Sequence, residues 1–331
     1  MQSNNKIISG FDLLKFLMAL VIINIHLRLN TYASGTHFMI AWNYINELAV
    51  PIFFVLSSFF LFKKMRLGTH SENKKNLINY EVRLTKLYLF WIVALSPIIL
   101  YSWHPEYLDS PLMGMALFVK NFFFAYEFGA SWFFGALLLG VPLVYITGRI
   151  FNEKNALVLS LVVYIYLYCD IDEKYLIQLY TEILRTPRLS FPAGLFWLSV
   201  GAILSHDKIM SFVVRNKLKH FISGGVIFII LGIFFHHYDY LFRIPTVLCI
   251  IFSFWKINIR NMELCKKMRI YSIHFFCLHY SIIVCLQQFP SLYFDNVIFL
   301  GFETIILCYM ISNLIIYAKQ LKKMSWLKYS Y

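Results

Sequence analysis

Charge is what this 331-residue chain has least of: Asp, Glu, Lys and Arg make up 14% of it, against 60% apolar residues. Soluble domains carry about a quarter charged residues, so an ordinary water-soluble globule is excluded. Gly/Ser-rich linkers, low-complexity tracts and a persuasive internal repeat are lacking too, so the expectation is one domain over 1–331 with no soluble appendage. The six cysteines are scattered, no pair having metal-ligand or redox spacing, and read as small apolar packing residues. A metal motif, a Gly-rich phosphate loop and a Ser-His-Asp nucleophile signature are missing as well, so no metal is expected.

What is present is a series of continuous apolar runs of ~15–22 residues, the length a helix needs to cross ~30 Å of hydrocarbon. A transmembrane barrel would need ~10-residue alternating segments instead. The fold class is therefore all-α, a polytopic transmembrane helical bundle. Ten spans are expected, at about 11–30, 47–63, 84–102, 131–148, 155–169, 190–205, 220–236, 241–256, 270–288 and 297–318. The apolar stretch 112–126 is short, ends at Glu127 and reads as re-entrant or interfacial. The first run is not a cleaved signal peptide, because it is too long and holds Asp12 and Lys15.

The net charge of +13 lies in short clusters between spans, which is topology information and excludes a nucleic-acid partner. Lys6 and Lys15, the loop Lys63 to Lys86, Arg149 and Lys154, Lys208 to Lys219, Lys256 to Arg269 and Lys319 to Lys328 place 24 of the 30 Lys and Arg on one face. The other face holds Arg28, Lys120, Lys174, Arg185, Arg188 and Arg243, with acidic residues such as Glu106, Asp109, Asp170, Asp172 and Glu173. The positive-inside rule makes the first face cytoplasmic and puts both termini there.

An ionisable side chain inside a membrane helix is costly and points to function. Lys15 and His26 are eleven residues apart, only ~20° from three whole turns, so they face the same way about 16 Å apart along the axis. That spacing suits an anion held near one surface and a base held deeper. Imidazole can take a proton from a hydroxyl and return it. Neither Asn24 nor Asp12 shares the face of His26, so its orienting partner must come from another helix. Arg83 and Lys86, three apart at the start of span three, can hold the phosphates of a nucleotide-like donor. Most of the basic residues around them are explained as positive-inside anchors. In span nine Tyr271 and His274 share a face by the same spacing, whereas His279 is explained equally by packing or function. Trp132, Arg185, Arg188 and Trp197 suit an aromatic and basic lining for a sugar, and an interfacial Trp belt explains them equally well. His236 and His237, adjacent in a short loop, read as solvated.

Several of these pieces, in this order, resemble the acyltransferase-3 family of integral-membrane O-acyltransferases. Lys15 to His26, preceded by Asp12, matches the family's basic-residue, ten-residue, histidine pattern. Ala49-Val50-Pro51-Ile52-Phe53-Phe54-Val55-Leu56-Ser57-Ser58-Phe59-Phe60 resembles its G-V-P-x-F-F-V-x-S-G-F segment, Trp132-Phe133-Phe134 its W-F-L motif, and Phe196-Trp197-Leu198-Ser199-Val200-Gly201 its F-F-L-L-G segment. Ile270-Tyr271-Ser272-Ile273-His274 is similar to its late I-Y-x-x-H. There are departures. Lys86 stands where a second arginine is usual, keeping charge but losing forked phosphate recognition. Ser58 replaces a glycine. Gly135-Ala136-Leu137 supplies no carboxylate where many members carry a glutamate, as in the shorter branch of the family.

The resemblance implies an O-acetyltransferase of the bacterial inner membrane. Acetyl-CoA would be the cytoplasmic donor and a sugar hydroxyl of a lipid-linked or surface glycan the acceptor. Lys15, Arg83 and Lys86 would then hold the donor phosphates. His26 would be the base or transient acetyl carrier, with His274 and Tyr271 orienting the reacting groups and Arg188 and Trp132 meeting the acceptor. A transporter or flippase for a lipid-linked glycan is the alternative from another class, weakened by the lack of paired Gly/Pro-broken helices in matching halves.

Overall fold

The computed structural model describes residues 8–27, 37–169, 175–184, 186–288 and 297–331. Lys6, Arg28, Asp170, Asp172, Glu173, Lys174 and Arg185, singled out from the sequence, lie outside the described residues. No strand occurs among the described residues, which are mostly helical.

The helices run in chain order as α1 (Ser9–His26), α2 (His37–Asn46), α3 (Ala49–Met65), α4 (His70–Ala94) and the short turn α5 (Ser96–Ile98). Then come α6 (Pro111–Phe124), α7 (Trp132–Ile150), α8 (Glu153–Tyr168), α9 (Tyr175–Ile183) and α10 (Phe191–Leu204). The last five are α11 (Asp207–Arg215), α12 (Leu218–Phe234), α13 (Asp239–Trp255), α14 (Met262–Gln287) and α15 (Val297–Ala318), followed by a 3-10 segment, Lys322–Ser330. Local chemistry sets several starts. Thr69 and Glu72 form a capping box that opens α4, and the Asn152 side chain accepts from the backbone N–H groups of Lys154 and Asn155 to open α8.

All ten expected segments fall mostly on helix in their described residues, but they differ in reach. Among the described residues, six helices are long and apolar enough to cross a membrane, and eight if each of two bent pairs, His70–Ala94 with Ser96–Ser102 and Asp207–Arg215 with Leu218–Phe234, is one span. The segments expected at 155–169 and 190–205 are helices of 16 and 14 residues, so ~24 and ~21 Å long against ~30 Å of hydrocarbon. The reason for α10 is its position. It packs on α3, α7 and α8 with most of its residues buried, so the protein and not the bilayer covers it. The stretch expected as re-entrant or interfacial is α6, whose 14 residues fold back on α7.

Helix ends that carry the basic loops meet at one end of the bundle. Ser9 at the start of α1 accepts from the Ile259 backbone beyond α13, and Asp12 pairs with Arg269 near the start of α14. Arg66 after α3, Glu153 at the start of α8 and His206 after α10 meet there as well. We call this the basic end. Helices α1 and α14 run side by side from it, with Phe16 against Phe275 at 5.8 Å. That pairing positions the site.

Candidate active site

His26 closes α1 at the far end from Asp12. Its half-buried ring lies 5.0 Å from the His279 ring and 4.7 Å from that of Tyr280, both on α14. The neighbour from another helix is thus His279, fully buried. Its Nδ1 lies 2.9 Å from the Phe275 carbonyl oxygen, which can only accept. Nδ1 therefore carries the ring hydrogen, and Nε2 keeps its lone pair. That Nε2 is buried with no hydrogen-bond partner. That lone pair is able to accept a hydrogen bond, and the ring that carries it lies against a second imidazole.

A second buried polar group approaches from the link between α6 and α7. Gly129, with φ of +34°, packs so tightly on Tyr280 that a Cβ would sit 2.7 Å from that side chain. Two residues earlier is Glu127, fully buried. The Tyr107 hydroxyl donates to one of its oxygens at 3.1 Å and itself accepts from Asn121, while the other oxygen has no partner. The Ser131 hydroxyl accepts from the Glu127 and Phe128 backbone N–H groups at 2.8 and 3.0 Å, which pins the link. The resembling family often carries a glutamate after the position of Trp132, whereas this carboxylate lies before it. Its signal was an acid between aromatic runs.

Toward the basic end, the Lys15 ammonium sits 4.7 Å from the centre of the Phe60 ring and within electrostatic reach of Asp12, Arg269 and Arg83. Asp12 is buried and takes a bidentate pair from Arg269 at 2.9 and 2.8 Å. Arg83 and Lys86 are exposed on α4, and the Lys86 ammonium lies 5.8 Å from the Tyr329 ring. Lys15 and Arg83 are thus brought together, with Lys86 one turn along α4. Such a cationic mouth fits phosphate groups.

Tyr271 and His274, expected on one face, meet different partners. The Tyr271 hydroxyl donates to Asn313 of α15 at 2.8 Å. His274 is fully buried, with Nε2 3.3 Å from the Ser330 hydroxyl and its ring near those of Trp91 and Tyr331. Three helical residues subtend ~300°, so two rings can share a broad face yet enter different grooves. Trp132, half-buried at the start of α7, packs on Phe54 at 6.0 Å. Arg188 is exposed, donates to the Leu167 carbonyl and stacks over Tyr168 at 5.3 Å. Arg243 lies over the same Tyr168 ring and is paired with Glu47 and Asp239. Trp197 is buried against Tyr164 and Phe196, a core position. His236 and His237 are exposed. No group of three metal-ligating side chains occurs among the described residues.

Comparison with known proteins adds three findings. A family model described as an acyltransferase domain matches residues 8–316. An amino-acid racemase of Enterococcus faecalis is 25% identical over 158 residues, which is 47% of this chain and 22% of that protein. The chain therefore matches under a quarter of the length of that curated relative. No solved structure matches the chain.

Proposed function

Since this chain belongs to the acyltransferase family whose domain spans residues 8–316, a family of membrane enzymes, we propose that it acetylates a sugar hydroxyl of a cell-surface glycan. The donor in this reading is cytoplasmic acetyl-CoA, the acceptor a lipid-linked or surface glycan, and the site a bacterial inner membrane. The observation that carries the proposal is the His26–His279 pair, held about 16 Å along α1 from the cations at the basic end. Acetyl-CoA cannot cross a bilayer, and a charged nucleotide held at Lys15, Arg83 and Lys86 leaves only its thioester arm to enter the bundle.

The residues divide the work as follows. His26 takes the proton of the acceptor hydroxyl as its oxygen bonds to the acyl carbon. The carbon–sulfur bond breaks, and His26 returns the proton to the departing sulfur. The His279 ring, packed 5.0 Å from that of His26, orients it in this reading. Trp132 and Arg188 meet the acceptor at the opposite end in this reading, and His274 and Tyr271 support α14 through their separate partners. The acyl group enters as a thioester, which supplies the activated carbonyl.

The test compares wild type with His26→Ala at equal membrane levels by mass spectrometry of the surface glycan. A gain of roughly 42 Da per modified unit, present with wild type and lost in the variant, is expected. A gain that persists in the variant removes His26 as the base. A change in glycan abundance with no change in mass replaces the transferase by a flippase.

A further inference from the structure

Away from α1, at the basic end, a cavity of about 300 Å³ opens between α3, α4, α7, α8 and α10. It plays no part in the acyl transfer argued above. Phe62, Val144 and Ala202 form its apolar wall, and Arg66, Asn73, Tyr145, Arg149 and Glu153 its polar side.

Its two guanidinium groups are in different states. Arg66 is fully engaged: it holds Glu153 through two bonds of 2.7 and 2.6 Å, the Ser205 hydroxyl at 3.1 Å and the Ala202 carbonyl at 3.0 Å. Arg149 has no carboxylate partner among the described residues, and lies over the Tyr145 ring at 5.3 Å. One positive charge is therefore left over. Beside it, two polar atoms are buried without a partner, the Tyr145 hydroxyl and the Asn73 side-chain oxygen. A buried polar atom of this kind is unfavourable unless something fills it. The hydroxyl can donate, and the amide oxygen can only accept.

The complement of these three groups is an anion that accepts from Tyr145 and Arg149 and carries a hydroxyl to donate to Asn73, joined to an apolar body. A phosphodiester with a hydroxylated headgroup has that chemistry. A volume of about 300 Å³ is at the lower end for ligand pockets, ~300–1,000 Å³, large enough for a headgroup and too small for a whole coenzyme. We propose that this cavity binds the glycerol phosphate headgroup of an anionic phospholipid, its phosphate on Arg149 and Tyr145 and its glycerol hydroxyl on Asn73.

The experiment measures thermal unfolding of the full chain in phosphatidylcholine nanodiscs with increasing phosphatidylglycerol. Acetyl-CoA and inorganic phosphate are added separately. Phosphatidylglycerol is expected to raise the midpoint by several degrees and to saturate, as a ligand of the folded state does. Arg149→Gln and Tyr145→Phe should each remove at least half of that rise, while Lys154→Gln, a neighbouring charge outside the cavity, should keep it. A full rise in both cavity variants overturns the proposal in favour of diffuse attraction to the basic end. An equal rise with inorganic phosphate overturns the headgroup, and a rise with acetyl-CoA but not the lipid reassigns the cavity to the donor.

Discussion

At His279 a backbone carbonyl decides what the ring can do. Because the Phe275 carbonyl claims the Nδ1 hydrogen, the free lone pair is on Nε2, in a buried position where no described group answers it. Replacing the ring by alanine or by leucine, which fills the space, is therefore expected to cut acyl transfer by ~10²-fold in both variants, the scale of general-base catalysis lost when His26 is no longer oriented. Initial rates in membrane vesicles at matched protein levels check this, and full activity in His279→Leu would reduce the ring to packing. Sequence spacing put weight on Lys15 and His26 and left His279 between two explanations. Its contact with His26 arises from the pairing of α1 with α14, which no local pattern encodes. Glu127 was hidden for a related reason, since its burial is created by Tyr107, Asn121 and the return of the chain onto α7.

Between helices, contact is set by small residues. Where α10 crosses α3, a Cβ on Gly201 would sit 2.0 Å from the Ser58 hydroxyl oxygen and 2.3 Å from the Val55 carbonyl oxygen. The Ser58 hydroxyl donates to the Leu198 carbonyl at 2.8 Å. Serine at the position where the resembling family has glycine is thus accommodated by the glycine opposite. Gly201→Ala is expected to cost about 1–3 kcal/mol by overpacking. Ser58→Gly added to it should restore only part, because the Val55 carbonyl remains in the way. Thermal unfolding of the two single variants and the double variant in detergent gives the coupling. The helices themselves were legible, because a run of apolar residues has to be helical in a bilayer. Their reach was not. α10 is as apolar as a span but shorter, and only the packing of its neighbours shows what covers it.

Across the whole molecule, ion pairs at the basic end tie together helices far apart in sequence. Glu153 is the centre of one such tie. Burial alone would push its carboxyl up, but the hydrogen bonds from Arg66 and His206 outweigh that and hold it below the ordinary 4.5. A carboxyl depressed in the folded state stabilises the fold above its ordinary value, and that contribution is lost as pH falls through the folded value. Glu153→Gln should therefore lower stability by ~1–2 kcal/mol near neutral pH, the worth of a partly exposed charged hydrogen-bond cluster. The gap to wild type should close progressively below the ordinary value of 4.5. Glu263, on the surface with Lys266 as its partner, supplies the control, since removing an exposed i,i+3 pair should leave the midpoint unchanged. Unfolding midpoints in detergent measured across the acid range for wild type, Glu153→Gln and Glu263→Gln test both statements. A gap for Glu153→Gln that stays constant with pH would mean the carboxylate charge is not what joins α3, α8 and α10, and that shape alone holds the basic end together.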